Sequence, residues 1–192
     1  MQIMYYGDLV CLRAFESSDL DIVVEHFNKL ELRQLLGVPI PRSKNYLELL
    51  FGKRGSSDPW IDGLLELSII DKRTGEFLGF VYLGDINKPH SRAEFGISIL
   101  NPDRLSKGYG TDATRVILWV SFNILGLHSI YLDTYPHNER AIHVYEKVGF
   151  KRVGIFRESE FIDGAYIDRL YMDILRDEFI EANPGFTVKT KA

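Results

Sequence analysis

Cysteine is almost absent from this chain. Cys11 stands alone, so no intramolecular disulfide can form and no thiolate zinc site can be assembled. Charge of one sign is not concentrated anywhere. The 23 basic residues stand against 27 acidic ones, a net charge of −4, and no block of like charges runs along the sequence. That balance excludes a dedicated nucleic-acid module, which needs a basic face to neutralise phosphates. The longest apolar stretch, Val116 to Leu132, is interrupted by Ser121, Asn123, His128 and Ser129 and does not read as a membrane span. Met1 to Asp8 lack the basic start and apolar run of a signal peptide, so the expected location is the cytoplasm. His26, His90, His128, His137 and His143 show no metal-ligand spacing, and no metal is expected.

Core-forming residues are plentiful. Of 192 residues 45% are hydrophobic, with 12 Phe, 10 Tyr and 2 Trp, enough for one globular domain without staples. Leu9 to Leu12 reads as a first strand within Gly7 to Ala14, and Cys11 as part of its core face. Ser17 and Ser18 offer capping oxygens ahead of Leu20, Val23, Val24, Phe27 and Leu30, an apolar stripe at helical spacing. A break at Gly37 to Pro41, a short helix over Asn45 to Phe51 and a loop from Gly52 to Gly63 follow. Strands are expected at Leu64 to Ile70, Phe77 to Ile86 and Ala93 to Leu100, the last ended by Asn101-Pro102. Then come a helix over Thr111 to Leu125, a strand over His128 to Tyr135, and a helix over Glu139 to Val148. A hairpin of Phe150 to Glu160 and Tyr166 to Leu175 closes the order. The expected class is mixed α/β, with a mainly antiparallel central sheet flanked by helices, in a single domain over 1–192. Its core spans about 7–176, with a tail at 177–192 whose last residues, Asn183 to Ala192, are expected to fray.

Two motifs carry chemistry. Leu105-Ser106-Lys107-Gly108-Tyr109-Gly110 lies between a strand and a helix. Its glycines let the backbone turn tightly, and the following helix offers free N–H donors and the positive end of its dipole, a fit for a diphosphate. Taken alone, such a turn is usually only a turn. The second motif runs from Asn138 through Ala141 and Tyr145 to Gly149-Phe150. Singly, Asn138 reads as a helix cap and Tyr145 as a packed aromatic on the face shared with Ala141 and Val148.

Together, with 28 positions between Gly110 and Asn138, the two motifs resemble the acetyl-CoA motifs of the GNAT superfamily of N-acetyltransferases. The resemblance extends from Leu9-Val-Cys-Leu-Arg13 to Leu175. Ala93-Glu94-Phe95-Gly96-Ile97-Ser98-Ile99 and the segment Arg157 to Asp168 look like the branch holding the ribosomal-protein N-terminal acetyltransferases and, close by, the spermidine acetyltransferases. The resemblance implies acetyl-CoA as co-substrate. It implies that Ser98, Ile99 and Leu100, at a strand end that splays from its neighbour, hold the pantetheine arm and polarise the acetyl carbonyl. It implies that the loop amides from Leu105 through Ser106, Lys107, Gly108, Tyr109 and Gly110, with Thr111, take the diphosphate. Asn138 then contacts the pantetheine and Tyr145 faces the sulfur. Leu105 departs from the Gln or Arg usual at that position, and Lys107 or Arg104 could supply the charge instead.

The chemistry is consistent with these roles. A thiol titrates near ~8.5 and a tyrosine near ~10, so Tyr145 is protonated at neutral pH and able to protonate a departing thiolate. The attacking amine must be neutral, and Glu94 and Asp85, near the ends of central strands, are the candidate bases; surface or cap roles remain open for both. The expected activity is direct acetyl transfer from acetyl-CoA to a primary amine, first of all a protein or peptide N-terminus. A polyamine or other small amine is the close alternative, and a non-catalytic acetyl-CoA binder the rival of another class. No nucleic-acid or membrane partner is expected, and a homodimer is possible through the terminal hairpin.

Overall fold

A computed structural model of the protein describes residues 3–35 and 40–191. One nine-stranded sheet organises it, in the order β7-β8-β6-β5-β4-β3-β2-β1-β9. The strands are β1 (Met4–Tyr6), β2 (Val10–Arg13), β3 (Leu65–Asp71), β4 (Phe77–Asn87), β5 (Arg92–Ile99), β6 (Ser129–Thr134), β7 (Lys151–Ile162), β8 (Ala165–Leu175) and β9 (Lys189–Lys191). Every pairing is antiparallel except β5 with β6. A parallel pair needs a crossover, and α4 (Tyr109–Asn123) supplies it. The remaining helices are α1 (Leu20–Phe27), α2 (Leu30–Leu35), α3 (Lys44–Gly55), α5 (Glu139–Val148) and α6 (Arg176–Ala182).

Strand alternation divides the apolar residues between two layers. Leu12, Ile69, Val81, Phe95 and Ile130 pack with Val116, Ile117 and Val120 of α4 and Ile142, Tyr145 and Val148 of α5. On the opposite face Cys11, Ile70, Phe80 and Leu100 pack with Val23 and Phe27 of α1 and Leu47 and Phe51 of α3. Asp112, in the first turn of α4, ties the layers at one end. Its carboxylate accepts the backbone N–H groups of Asp8, Leu9 and Val10 at 3.1, 2.7 and 3.0 Å.

The structure departs from the expected elements in the second expected helix, the start of α1 and the tail. The second helix starts at the Ser43 cap, whose hydroxyl accepts the Tyr46 N–H, and runs to Gly55, so the loop expected from Gly52 begins later. Ser17 and Ser18 do not cap α1: they lie in a single 3-10 turn, Ser17–Asp19, ahead of it, where the Asp19 carboxylate accepts the Glu16 N–H at 3.0 Å. Of the expected break at Gly37 to Pro41, positions 37–39 lie outside the described residues. The tail does not fray. Phe179 of α6 stacks near Phe122, with centroids 5.5 Å apart. Asn183 donates to the carbonyls of Val148 and Phe179 at 2.8 and 2.9 Å, and β9 adds to β1 at the sheet edge. A polar tail sequence holds because Asn183 satisfies the carbonyl ends of two helices, which water would otherwise have to do.

Candidate active site

The site begins where two central strands part. β5 pairs with β4 from Arg92 to Ile99, with a bulge between Gly84 and Asn87. With β6 it pairs only at Arg92↔Ser129, Ala93↔Ile130 and Glu94↔Tyr131. β6 meanwhile continues along β8 as far as Thr134. From Phe95 onward the edge of β5 that faces β6 therefore has no ladder partner, and a cleft of about 780 Å³ opens beside it. Gly96 to Ile99 form one wall, and the glycine loop and α5 the others. Ser98 and Ile99 thus stand where the resemblance puts the pantetheine. Leu100 does not: its side chain is buried in the opposite layer and its N–H donates to the Leu78 carbonyl at 2.9 Å. A residue whose amide closes a ladder and whose side chain fills a core has nothing left to offer a ligand.

The glycine loop meets α4 at Gly108, whose φ of +88° is open to glycine and costly for other residues. The first intrahelical bond is donated by Asp112, to the Gly108 carbonyl, which leaves the N–H groups of Tyr109, Gly110 and Thr111 at the positive end of the helix. Leu105, Ser106, Gly108, Gly110 and Thr111 all line the cleft. A Cβ placed on Gly110 meets nothing within 4 Å, so the chain itself does not require glycine there; only something in the cleft could. Tyr109 does not line the cleft; its hydroxyl turns away and donates to Asp71 at 2.7 Å. Lys107 is exposed and lies outside the cleft lining, so it does not replace the charge absent at Leu105. Arg104 does reach the lining, although its guanidinium is already paired with Glu76. Arg140 and Lys147 of α5 add cationic groups to the lining that spacing alone did not single out.

On α5, Asn138 is a helix cap, its side-chain oxygen accepting the Ala141 N–H at 3.3 Å, and it also lines the cleft. Both of the roles weighed from sequence therefore fit one residue. Tyr145, seven residues on, lies against Phe95 and Phe150 at centroid distances of 6.0 and 5.8 Å and borders the cleft. Burial pushes its hydroxyl well above the ordinary tyrosine value, and the nearby Tyr82 and Asp133 push it in the same direction. The hydroxyl is therefore neutral across the physiological range.

On the other face of the parted strands, Glu94 lines the same cleft. Burial raises its pKa, and the carboxylates of Asp133 and Asp85 add to the shift while Arg169 opposes it. Asp85 occupies a neighbouring cavity of about 680 Å³ with Arg54, Trp60, Asp62, Arg92 and Tyr131. It sits at the β4 bulge with φ +46°, a left-handed conformation that costs energy for a non-glycine residue and that a bulge beside a site often holds. The two candidate bases are thus separated, one in the cleft and one in the adjoining vestibule. Sequence reasoning missed three further residues of the cleft: Tyr82, Asp133 and Arg169. Arg169 bonds Asp133 at 3.0 Å and Glu160 at 2.7 Å, and its guanidinium lies 4.1 Å from the Tyr135 ring centroid. Glu160 in turn accepts the Tyr135 hydroxyl at 2.7 Å. Only strand pairing brings these residues from β6, β7 and β8 together, so no local motif marks them.

Comparison with known proteins gives the same picture. Residues 10–151 match the family described as the acetyltransferase (GNAT) domain. The spermidine N(1)-acetyltransferase of Vibrio cholerae serotype O1 is 32% identical over 139 residues, which cover 72% of this chain and 77% of that protein. The spermidine N(1)-acetyltransferase of Escherichia coli K12 is 43% identical over 76 residues, and that match spans only 40% of each chain. Among solved structures, the Vibrio cholerae spermidine N-acetyltransferase in complex with CoA and spermine aligns with a TM-score of 0.79 at 32% identity, over 90% of this chain and 98% of that one. With the parted strands, the glycine loop at the start of α4 and the tyrosine on α5 all in one cleft, the chain belongs to the GNAT family of acetyltransferases, whose acetyl donor is acetyl-CoA.

Proposed function

We propose that the protein acetylates a primary amine by direct transfer from acetyl-CoA, and that the acceptor is a small polyamine of the spermidine class. The parting of β5 from β6 beyond Glu94 carries the first half of this reading, because it supplies unpaired backbone groups where a thioester must lie. Relatives that act on spermidine favour the second half, over the protein N-terminus that the sequence alone put first.

Each residue then has a task. The N–H groups of Gly110 and Thr111, at the open start of α4, receive the diphosphate, with Arg104 and Lys147 adding positive charge. The free edge of β5, where the backbone groups of Ile97 and Ile99 face away from β4, holds the pantetheine and places a backbone N–H against the acetyl oxygen, with Ser98 lining the cleft beside them. Glu94 takes a proton from the acceptor ammonium, and the neutral nitrogen attacks the thioester carbonyl to form the new C–N bond. As the tetrahedral species collapses, the C–S bond breaks and Tyr145 gives its hydroxyl proton to the sulfur. The nitrogen, now bonded to the acyl carbon, loses its second proton, which returns to Tyr145, and Glu94 releases the first to solvent, which closes the balance. Asp85 and Asp62 in the vestibule offer negative charge to a second ammonium of the same acceptor. A molecule that only binds acetyl-CoA has no use for a hydroxyl kept neutral at this point of the cleft.

The test is CoA-thiol release from acetyl-CoA with a panel of acceptors. Spermidine and spermine should drive release, and peptides beginning with Ser, Ala, Thr or Met should not. Release driven by peptides with free N-termini, and lost when these are blocked, would reverse the assignment.

A further inference from the structure

Among the described residues, Tyr82 of β4 is the one that lines both the acetyl cleft and the vestibule. Its ring is held on two sides. Below it lies Gly96, its register partner on β5, where a Cβ would come within 2.2–2.5 Å of the ring and hydroxyl. Beside it, the Arg54 guanidinium lies 5.1 Å from the ring centroid and is fixed at 2.7 Å to Glu66, whose side chain is fully buried. An aromatic ring so confined has little rotamer freedom and acts as a fixed wall. Resting on the acceptor reading above, we propose that Tyr82 is the specificity-determining residue of the acceptor passage, selecting amines borne on an unbranched CH₂ over amines borne on a substituted carbon.

The argument is one of shape. An amine entering from the Asp85 side must pass the Tyr82 ring to reach Glu94 and the thioester. The terminal amines of a polyamine sit on CH₂ groups. The amine of a peptide N-terminus other than glycine sits on a carbon that carries a side chain and a carbonyl, and the extra substituent meets the ring. At the reacting nitrogen itself charge does not make this distinction, because both amines are cationic in water. Steric exclusion of one methyl-sized group in a packed passage is worth about 10-fold or more in kcat/KM.

The experiment compares spermidine with 1,8-dimethylspermidine, which has the same charges and one added methyl beside each of the two primary amines. Kinetics are measured for wild type, Tyr82→Phe and Tyr82→Ala, with acetyl-CoA affinity and melting temperature recorded for each to show that the fold and donor site are intact. Should the alanine variant melt early, Tyr82→Leu replaces it. Wild type and Tyr82→Phe should favour the unbranched amino end by about 10-fold. The smaller side chain should remove most of that preference, with acetyl-CoA binding unchanged. An equal preference in all variants would overturn the role of Tyr82 while leaving the acceptor class intact. Turnover of neither amine by wild type would overturn the acceptor class, and the passage with it.

Discussion

The Tyr145 ring stands edge-on to Phe95, with centroids 6.0 Å apart and planes at 89°. Phe95 is the first residue of β5 past the last pair with β6. The contact therefore anchors the proposed proton donor to the point where the strands part, which sets its place relative to the free edge of β5. An aromatic edge-to-face pair of this kind adds about 1 kcal/mol beyond area burial, enough to hold a ring in one rotamer.

Tyr145→Phe keeps that packing and removes the hydroxyl alone. Turnover should fall by about 10²-fold or more, with acetyl-CoA affinity and melting temperature nearly unchanged. Steady-state kinetics beside a binding titration will read the split; a variant with parental kcat would remove Tyr145 from the proton path.

Gly110→Val tests the anion site. The chain leaves open space at Gly110, so the fold should tolerate the larger residue, whereas the diphosphate should not. A rise of about 10-fold or more in the acetyl-CoA dissociation constant is expected, a loss of roughly 1.4 kcal/mol, with melting shifted only slightly. Calorimetric titration decides it.

The acid limb of the activity profile should report Glu94. Burial and two neighbouring carboxylates raise its pKa, so its basic form is lost at a higher pH than for an ordinary carboxylate. Activity should therefore decline as pH falls toward the upper carboxylate range, and the group responsible should be absent from the profile of Glu94→Gln, whose residual rate is low. An unshifted acid limb in that variant would assign the base elsewhere.

Glu66 makes a different pH prediction, one about stability. Burial pushes its carboxyl up to about 7 from the ordinary 4.5, with Arg54 opposing the shift. A raised carboxyl pKa means that the native state holds the extra proton between these two values, so the contribution of Glu66 to stability falls as pH rises from 4.5 to 7 and is level beyond. Relative to Glu66→Gln, wild type should lose melting temperature across that window. Parallel curves for the two proteins would show that Glu66 ionises like a surface carboxylate.

Removal of residues 183–192 tests the tail. It deletes the Asn183 bonds to Val148 and Phe179, the Asn183 bond from Arg115, and the buried Val188. A loss of roughly 2–4 kcal/mol is expected from those bonds and that burial. For a chain of this size the melting temperature should fall by about 5–15 °C.

The sequence by itself determined what is local. Periodicity marked α4 and α5, Asn138 and Gly149 bounded α5, and the glycine pair at 108 and 110 marked the anion loop, because each rests on bonds within a few residues. The tertiary structure decided what depends on register. Glu94 and Asp85 look equivalent along the chain, yet the β4 bulge puts one in the cleft and the other in the vestibule. Leu100 reads as one more residue of a free strand end, until pairing with Leu78 removes it. Tyr82, Asp133 and Arg169 carry no local signal at all. They meet because antiparallel neighbours and a single parallel pair bring strands distant in sequence within about 5 Å of one another. Short-range order follows from backbone hydrogen bonding and side-chain period, whereas a site lined by residues of four strands exists only once the sheet does.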